Sequence, residues 1–551
     1  MIRIHGVLWV AANCVLLCLD PGEFSGWAAA LEFLHCRRFI SSTCPSIWHE
    51  CANKFFDIDR LAVILLLTRV HSNKCNIKMP STKELGSTRT LEKSHLVTPE
   101  EYGIKLQAPI EMKLSPIDQN MPRLYGGRWI LCFPLPAGVD MSVVFENLKR
   151  GLAQTIASIP WLAGDVGPEK GSDPKDARLQ VVEGKGGVNF VYKDLTSILP
   201  SFADLRKDNF TFSKLTTPLV SPLQVIQEAQ PVFAAQANFI EGGLLLTVGN
   251  HHAVCDGAAR DHILEIWARN TSAISGTRPF TKHDPSSNDR SPLSAGIPTD
   301  NIAAFPEYML APTPPADQTN LAPPTAFQMP PMAAKIFTFS PSMLAALKAE
   351  VKAYSTNDAV VAFFWHHMST ARNLSPIDET ATSAALFASN IRSRTSPPLP
   401  RTYLGNAVLG CLTPRLSITS LTDPSTGLQL AASSLRTALN DINKPNRIPL
   451  TIGLLSSRPN AQDFKFAARG FLGPDITVSS WADMRVRERE WGGLGKPEGF
   501  RVPYEAADGV VTVFPRLEGD GIEVMCGLES GAMERMVGNE EFRKFVTDVV
   551  E

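Results

Sequence analysis

The sequence predicts a mixed α/β protein whose folded region is divided into two halves. Short apolar runs with strand character alternate with stretches of helical spacing; residues 244–248 and the amphipathic pattern that follows them are one such pair. Between Ser272 and Met332 proline, serine, threonine and asparagine become frequent, which is typical of an extended connection. We therefore expect folded domains at 96–275 and 335–551, a proline-rich crossover at 276–334, and an atypical extension at 1–95.

Composition narrows the class of protein. The chain has 551 residues, enough for two or three domains, and its 44% hydrophobic content is ordinary for a globular protein. Its formal net charge of −2 provides no general attraction to nucleic acid or to an anionic membrane surface. We expect neither nucleic acid nor a membrane as a partner.

The first 78 residues differ from the rest of the chain. They contain two apolar runs, residues 7–19 and 61–67, both shorter than the roughly 20 apolar residues of a transmembrane helix. Three interpretations are open: a secretory signal with a small cysteine-rich module, a membrane-associating extension, or translated non-coding sequence upstream of a start at Met79. We favour the last, because an ordinary polar segment begins at Met79; disorder of the extension is also compatible with this pattern.

Cysteine usage separates this extension from the remainder. Six of the ten cysteines precede Met79: Cys14, Cys18, Cys36, Cys44, Cys51 and Cys75. The remaining four thiols are scattered, which indicates a reducing compartment. We expect a cytoplasmic protein.

In the first half, residues 129–133 predict a strand, and Asp140 is the expected cap of a helix that Pro160 ends. Residues 179–182 and 188–192 flank Gly-Lys-Gly-Gly at 184–187 and predict a hairpin. That glycine segment lacks the Ser or Thr of a P-loop, so phosphate binding is not expected there. A second hairpin, formed by residues 232–240 and 244–248, leads into the sequence GNHHAVCDG at 249–257.

This nine-residue motif lies at a predicted strand-to-helix junction, where backbone on both sides would hold a histidine. An imidazole with an unperturbed pKa of roughly 6.5 can accept a proton at neutral pH, which makes His252 a candidate base. Asp256 can cap the following helix or enter an ion pair, and Gly257 permits an unusual backbone angle or a close approach. Taken alone, such residues are more often structural than catalytic. A metal cluster of His251, His252, Cys255 and Asp256 fits no standard zinc spacing, and no metal is predicted.

In the second half, residues 335–339 predict a strand, and Ser340 with Pro341 predicts the start of a helix. A further helix follows with Asp358 as its candidate cap; its Trp365, His366 and His367 are expected to be packing and surface residues. Residues 509–516 and 521–528 predict a hairpin. We expect a terminal helix that carries Met533, Met536, Phe542 and Phe545.

Several short segments occur in a fixed order: LSPIDQ at 114–119, PWLAG at 160–164, HHAVCDG at 251–257, STNDA at 355–359, NIRSR at 390–394, SSW at 479–481 and EWGGLGKP at 490–497. In this order they resemble the BAHD superfamily of acyl-CoA-dependent transferases, and the Asn-His-His start resembles its fungal branch, which includes trichothecene 3-O-acetyltransferase. The resemblance spans roughly residues 114–545. Glu490 and Trp491 depart from the family's Asp-Phe, and one residue is added before Pro497.

The resemblance implies two similar chloramphenicol-acetyltransferase-like domains with mixed sheets on either side of an active-site channel. Its implied catalytic residues are His252, Asp256, Ser479 and Trp481, with structural support from Gly257, Arg392, Gly492 and Gly495. His252 would be the general base, and Arg392 would pair with Asp256, which shapes the turn without taking part in proton transfer. Ser479 and Trp481 would donate hydrogen bonds to the oxyanion.

The implied reaction moves an acyl group, with acetyl as the expected donor group, from acyl-CoA to a hydroxyl of a small fungal secondary metabolite. Acyl-CoA is a co-substrate, no permanently bound cofactor is expected, and the protein is expected to be a monomer. The alternatives are N-acyl or condensation-type transfer by the same site, a catalytically silent small-molecule-binding homologue, and a serine hydrolase. The last is disfavoured because the chain has no G-x-S-x-G elbow.

Overall fold

The structure is a computed structural model that describes residues 91–106, 110–222, 230–274, 276, 278–312, 328–373 and 381–551. The expectations for residues 1–78, including both apolar runs and six cysteines, lie outside the described residues. Residues 88–551 form one compact unit. No helix within the described ranges has the length and apolarity needed to cross a membrane.

The described chain contains both strands and helices, as predicted. The strands are β1 (Glu92–Val97), β2 (Met112–Lys113), β3 (Trp129–Pro134), β4 (Asp165–Pro168), β5 (Leu179–Val182), β6 (Val188–Asp194), β7 (Gln230–Pro231), β8 (Phe233–Ile240), β9 (Gly243–Asn250), β10 (Tyr308–Leu310), β11 (Met332–Phe339), β12 (Thr382–Ser383), β13 (Ala385–Asn390), β14 (Val408–Leu412), β15 (Leu416–Ser417), β16 (Phe464–Phe466), β17 (Ile476–Ser480), β18 (Gly499–Arg501), β19 (Val510–Val513), β20 (Ile522–Glu529) and β21 (Asp548–Val550).

The helices are α1 (Pro116–Asn120), α2 (Met141–Ser158), α3 (Phe202–Lys207), α4 (Thr217–Val220), α5 (Gly257–Ile274), α6 (Pro341–Val351), α7 (Thr356–Arg372), α8 (Ile418–Leu421), α9 (Gly427–Ile442), α10 (Arg447–Ser456), α11 (Ser530–Gly538) and α12 (Glu540–Arg543).

A six-stranded sheet of order β1-β6-β8-β9-β3-β18 carries the histidine motif. The β8–β9 hairpin is confirmed, with Ile240 opposite Gly243, and every residue of β9 is buried. The predicted helix after the motif is confirmed as α5, which packs against α2, where the indole N–H of Trp267 donates to the Leu148 carbonyl at 3.0 Å. The motif therefore begins at the end of a fully paired central strand and leads into a buried helix.

A second, seven-stranded sheet has the order β14-β13-β17-β19-β20-β11-β21. It is mixed, because β17 runs parallel to both β13 and β19 whereas the other neighbours are antiparallel. The predicted hairpin of β19 and β20 is confirmed. The buried face of α7 packs on this sheet in a separate apolar core, and its N-terminus is closed by a capping box in which Ser355 is the cap and Asp358 the third helical residue.

The predicted hairpin across residues 184–187 is wrong. β5 pairs with β2 and β4 in a four-stranded sheet, whereas β6 pairs with β1 and β8 in the six-stranded sheet. The glycines allow this change of sheet, because a Cβ on Gly184 would lie 2.9 Å from the Ala163 carbonyl oxygen and one on Gly187 would lie 2.6 Å from that of Val97. The glycines therefore permit close backbone packing instead of a two-strand turn.

Two expectations for the second half are also wrong. The terminal segment is not one helix. Asn539 has an extended backbone conformation that ends α11, and its side chain caps α12 by accepting a hydrogen bond from the Phe542 N–H. The chain then pairs β21 with β11. His366 and His367 are not at the surface: both are buried, and the His366 Nδ1 lies 2.7 Å from the Leu421 carbonyl oxygen.

Strand pairing joins the second half to the first half and the crossover to the second half. β18 pairs with β3, placing Phe500 opposite Leu131 in the six-stranded sheet. Arg501 in this strand is buried and donates to the carbonyl of Phe210 at 2.7 Å. The short β10 of the crossover pairs with β16. The halves are thus joined by strand pairing as well as by the crossover, and the predicted domain boundaries stay predictions.

Candidate active site

The two histidines of the motif have different surroundings. His251 is completely buried: its Nδ1 accepts a hydrogen bond from the Ala253 N–H at 3.3 Å, and its Nε2 lies 3.0 Å from Oε1 of Gln230. Because Nδ1 accepts, the ring proton belongs on Nε2, which then donates to Gln230. Burial, aided by His252 and Arg123, lowers the pKa of His251 to about 4. His251 is a neutral structural residue with both ring nitrogens occupied.

His252 is partly exposed, and its backbone is held on both sides. Its N–H donates to the Leu124 carbonyl at 2.9 Å, and its own carbonyl accepts from the Nδ2 of Asn406 at 2.9 Å. The Nδ1 atom is buried and has no hydrogen-bond partner of good geometry in the described part of the chain. The imidazole is thus fixed by its backbone and remains accessible to solvent.

Burial is the main reason that the pKa of His252 lies below its ordinary value of 6.5. The positive charge of Arg260 lowers this pKa further, while the residue's own carbonyl, Asp256 and Asn406 raise it. The net direction is downward, so the imidazole is neutral at pH 7. A neutral, partly exposed imidazole is the form that can accept a proton.

Asp256 is buried and its carboxylate is fully engaged. Arg392 donates two hydrogen bonds to it, Nη1 to Oδ2 at 2.8 Å and Nη2 to Oδ1 at 2.9 Å, in the fork geometry of a bidentate pair. The backbone N–H groups of Ala259 and Ala407 supply two more, each at 2.9 Å. Burial alone would raise the pKa of Asp256, but Arg392 and these backbone donors lower it. The carboxylate therefore braces the turn and caps α5.

Asn406 and Asp118 form a second brace behind the histidine. Asn406 donates its backbone N–H and its Nδ2 to Oδ1 of Asp118, at 2.9 and 2.8 Å, and the same Nδ2 bonds to the His252 carbonyl. The other carboxylate oxygen of Asp118 accepts from the hydroxyl and N–H of Ser115, which caps α1. From the crossover, Arg290 donates to the Val254 carbonyl at 3.1 Å. Three distant segments thus fix the backbone of the motif.

Gly257 provides space rather than an unusual backbone angle. A Cβ built on it would lie 2.7 Å from Cε of Met484 and 3.8 Å from Cδ1 of Trp481, so Trp481 lies beside the first turn of α5. The Trp481 ring is stacked on Phe514 and is partly exposed. Ser479 lies two residues earlier on β17, opposite Thr512, and is also partly exposed. The roles of Ser479 and Trp481 as oxyanion donors stay predictions.

Gly492 and Gly495 lie farther along, at the C-terminal part of α5. Both have a left-handed φ, +64° and +66°, which favours glycine, and a Cβ on Gly492 would lie 3.0 Å from Cα of Ser272. The turn that these glycines form follows the buried Trp491, which packs against Trp267. This segment braces α5 from behind, at the end opposite the histidine motif.

Two of the four candidate metal ligands of the motif, His251 and Asp256, are bound by other groups of the protein. Cys255 is a buried free thiol whose pKa burial raises to about 12, His251 binds Gln230, and Asp256 binds Arg392. Within the described ranges no group of three or more His, Cys, Asp or Glu side chains is arranged to hold a metal ion.

Comparison with known families assigns the chain. The family model described as the Transferase family matches residues 89–543. The chain belongs to this family, the BAHD acyltransferases. The prediction that it is an acyltransferase is confirmed at the level of the family.

Relatives with similar sequences cover most of this BAHD protein. Acyltransferase easC of Emericella nidulans is 28% identical over 81% of this chain and 98% of its own length. Eremophilane O-acetyltransferase ORF8 of Penicillium roqueforti is 27% identical, with 79% and 98% covered. Trichothecene 3-O-acetyltransferase TRI101 of Fusarium sporotrichioides is 27% identical, with 79% and 96% covered.

Solved structures confirm the predicted fold class. The crystal structure of TRI101 from F. graminearum, complexed with coenzyme A and T-2 mycotoxin, has a TM-score of 0.69 at 22% identity and covers 79% of this chain and 99% of its own. Vinorine synthase has a TM-score of 0.57 at 19% identity, with 83% and 98% covered. The mixed α/β architecture of this BAHD protein is therefore that of the family.

Sequence reasoning missed several residues that hold the motif of this BAHD protein. Asp118 lies within the quoted LSPIDQ segment, but neither its bond to Asn406 nor the bond from Asn406 to the His252 carbonyl was predicted. Arg260, which donates to the Gly126 carbonyl at 2.9 Å, was overlooked entirely. Its position one turn after Asp256 was the available signal, because residues four apart share a face of a helix.

Proposed function

We propose that this BAHD protein transfers an acyl group, acetyl in the simplest case, from acyl-CoA to a hydroxyl of a small fungal secondary metabolite. His252 is the general base. The observation that carries the proposal is the state of this residue: a neutral, partly exposed imidazole on a turn whose only carboxylate, Asp256, is committed to Arg392.

The reaction requires one proton to move twice. The Nδ1 of His252 is buried, so Nε2 is the nitrogen that takes the proton from the acceptor hydroxyl. The alcohol oxygen bonds to the thioester carbonyl carbon, and the tetrahedral intermediate collapses as the carbon–sulfur bond breaks. The imidazolium then returns the proton to the departing thiolate, giving the ester and free CoA. General-base help of this kind contributes roughly 10²–10⁴ in rate.

Ser479 and Trp481 are the proposed donors to the oxyanion. Both are partly exposed, and Trp481 lies beside Gly257 at the start of α5. Neither side chain donates a hydrogen bond to another residue of the described chain, which leaves both groups available. Loss of one oxyanion donor typically costs about 3 kcal/mol of transition-state stabilisation.

Both proposed substrates are inferred from the relatives of this protein. Coenzyme A is bound in the TRI101 crystal structures, and the named acceptors of the relatives are a trichothecene and an eremophilane. We extend acyl-CoA, and acceptors of this hydroxylated small-molecule class, to the present chain. A cytoplasmic setting and a monomeric state complete the proposal; the free state of the described cysteines, Cys132, Cys255, Cys411 and Cys526, supports a reducing compartment.

The test measures thiol release from acetyl-CoA in the presence of a trichothecene and an eremophilane alcohol. We expect His252→Ala to lower kcat by roughly 10²–10⁴ while the circular dichroism spectrum is unchanged. His251→Gln is the matched control, because it alters the neighbouring buried imidazole and retains hydrogen-bonding capacity. Equal rates for wild type and His252→Ala would refute the proposal.

The same experiment separates the alternatives. A silent binding homologue predicts saturable binding of the alcohol without thiol release, and N-acyl transfer predicts faster release with amines than with alcohols. Metabolite profiling of a strain lacking the protein would identify the acceptor as a compound that accumulates without its acyl group.

A further inference from the structure

Arg260 is a buried cation on the first turn of α5, with 4% of its surface exposed. Its Nη1 donates to the carbonyl of Gly126 at 2.9 Å and also to the carbonyl of Gly127. The guanidinium carbon lies 4.1 Å from the centroid of the Trp129 ring, within cation–π distance. No carboxylate of the described chain forms an ion pair with it, although burying an unpaired charge is costly. Such a group needs an explanation beyond packing.

The two glycines that Arg260 holds lie against the catalytic imidazole. A Cβ built on Gly126 would be 3.0 Å from Cδ2 of His252, so the backbone of Gly126 borders that edge of the ring. Gly127 has a φ of +57°, and a Cβ there would be 2.9 Å from Nη2 of Arg260. The Leu124 carbonyl, at the start of the same segment, accepts the His252 N–H. Residues 124–127 therefore form a wall beside Cδ2, the ring atom bonded to Nε2.

We propose that Arg260 is a positioning residue for His252, an inference that rests on the proposed general-base role. Its guanidinium fixes the carbonyls of Gly126 and Gly127, so that the glycine wall holds the imidazole at one angle. A planar fork with several donors, stacked on an aromatic ring, is suited to this task, whereas a lysine ammonium is not.

The charge of Arg260 has a second effect on the same ring. It lowers the pKa of His252 in the same direction as burial, while Asp256 opposes it. Among the described residues, Arg260 and Asp256 are the charged groups with the largest effects on the imidazole, and His251, the adjacent titratable group, stays neutral with a pKa of about 4. Removing the positive charge of residue 260 should therefore raise the pKa of His252. Replacing the guanidinium with another cation, which removes only the forked donor geometry, should not.

Arg260 also reaches the proposed oxyanion donor through its aromatic partner. The Trp129 ring lies 5.6 Å from that of Trp481, and a Cβ on Gly127 would lie 3.3 Å from Cζ2 of Trp481. The Arg260 guanidinium thus contacts both the glycine wall beside His252 and the Trp129 ring, which packs against the proposed oxyanion donor Trp481. Displacement of reacting groups by about 1 Å can cost up to 100-fold in rate.

The test compares three variants by kcat, KM and the pH profile of kcat/KM. For Arg260→Met we expect kcat to fall between about 10- and 100-fold, with the acidic limb of the profile displaced upward. Arg260→Lys retains the positive charge. It should lower kcat, while the acidic limb of its pH profile stays near the wild-type position. Gly126→Ala retains Arg260 and should lower kcat while KM for acetyl-CoA stays unchanged.

Arg447→Met is the matched control. Arg447 is also buried, lies 4.4 Å over the Phe305 ring and donates to the Ala304 carbonyl, but it is paired with Glu307 and Asp441 and has no contact with the motif. This variant should lose thermal stability while its pH profile stays that of the wild type.

Wild-type kcat and pH profile in both Arg260→Met and Gly126→Ala would overturn the inference. If Arg260→Met fails to fold, Arg260→Lys and Gly126→Ala decide the question, because both retain the buried charge. An active His252→Ala would refute the proposed function instead, and the two failures are distinguishable because the Arg260 variants leave His252 in place.

Discussion

Replacing Arg392 with methionine should destabilise the protein strongly. The substitution removes the two charged donors of Asp256 and leaves its buried carboxylate with only the N–H groups of Ala259 and Ala407. Breaking a buried ion pair from one side costs about 3–5 kcal/mol, because the remaining charge stays buried without compensation. The guanidinium also serves the carbonyls of Tyr403 and Gly405, which lose their donor. This loss would be a large part of the free energy of unfolding, which is typically about 5–15 kcal/mol.

Urea unfolding at pH 7, followed by circular dichroism, would measure this loss. The double variant Arg392→Met with Asp256→Asn should be more stable than the sum of the single effects predicts, because the buried negative charge is absent. Arg206→Met is the control, since its pair with Glu498 is exposed and should contribute less than ~1 kcal/mol. A loss below about 1 kcal/mol in Arg392→Met would refute the assignment of the pair as the brace of the turn.

Three further results are expected. His251→Ala should lower the unfolding midpoint, because it removes a completely buried ring together with its bond to Gln230, yet retain far more thiol release than His252→Ala; equal losses would contradict the division of roles. The melting temperature should be highest above pH 6.5 and fall toward pH 4. His251 and His283 have folded pKa values of about 4, below the ordinary 6.5, so the unfolded chain binds protons at a higher pH than the folded protein does. In a series of thermal melts at different pH, His283→Phe should make this fall shallower. Gly257→Val should lower kcat by crowding Met484, and adding Met484→Ala should restore part of the lost activity. If the double variant is no more active than Gly257→Val, the contact with Met484 is not the cause.

Local pattern was sufficient for elements whose partners are close in sequence. The β8–β9 hairpin follows from two apolar runs around a glycine turn, and α5 follows from apolar residues at helical spacing. The same logic failed at residues 184–187, because hairpin signals describe a turn and not the sheet that receives each strand. The terminal helix failed for a related reason: Asn539 is a good cap as well as a tolerable helical residue, and pairing of β21 with β11 decides between them.

The candidate site divides in the same way. His252, Asp256 and Arg392 were found because they belong to motifs whose order in the chain resembles that of the family. Asn406 and Arg260 were not assigned a role, because a buried amide or guanidinium has many possible partners along a chain of this length. The bond from Asn406 to the His252 carbonyl spans 154 residues of sequence, and that from Arg260 to Gly126 spans 134.

The sequence by itself determined the mixed α/β class, the strand-to-helix position of the histidine and the acyltransferase family. Only the tertiary structure decided which histidine is occupied and which remains accessible, since His251 and His252 are identical as residue types and differ in the groups packed around them. The physical reason is that burial and hydrogen bonding set the protonation state of an imidazole, and both arise from segments far apart in the chain.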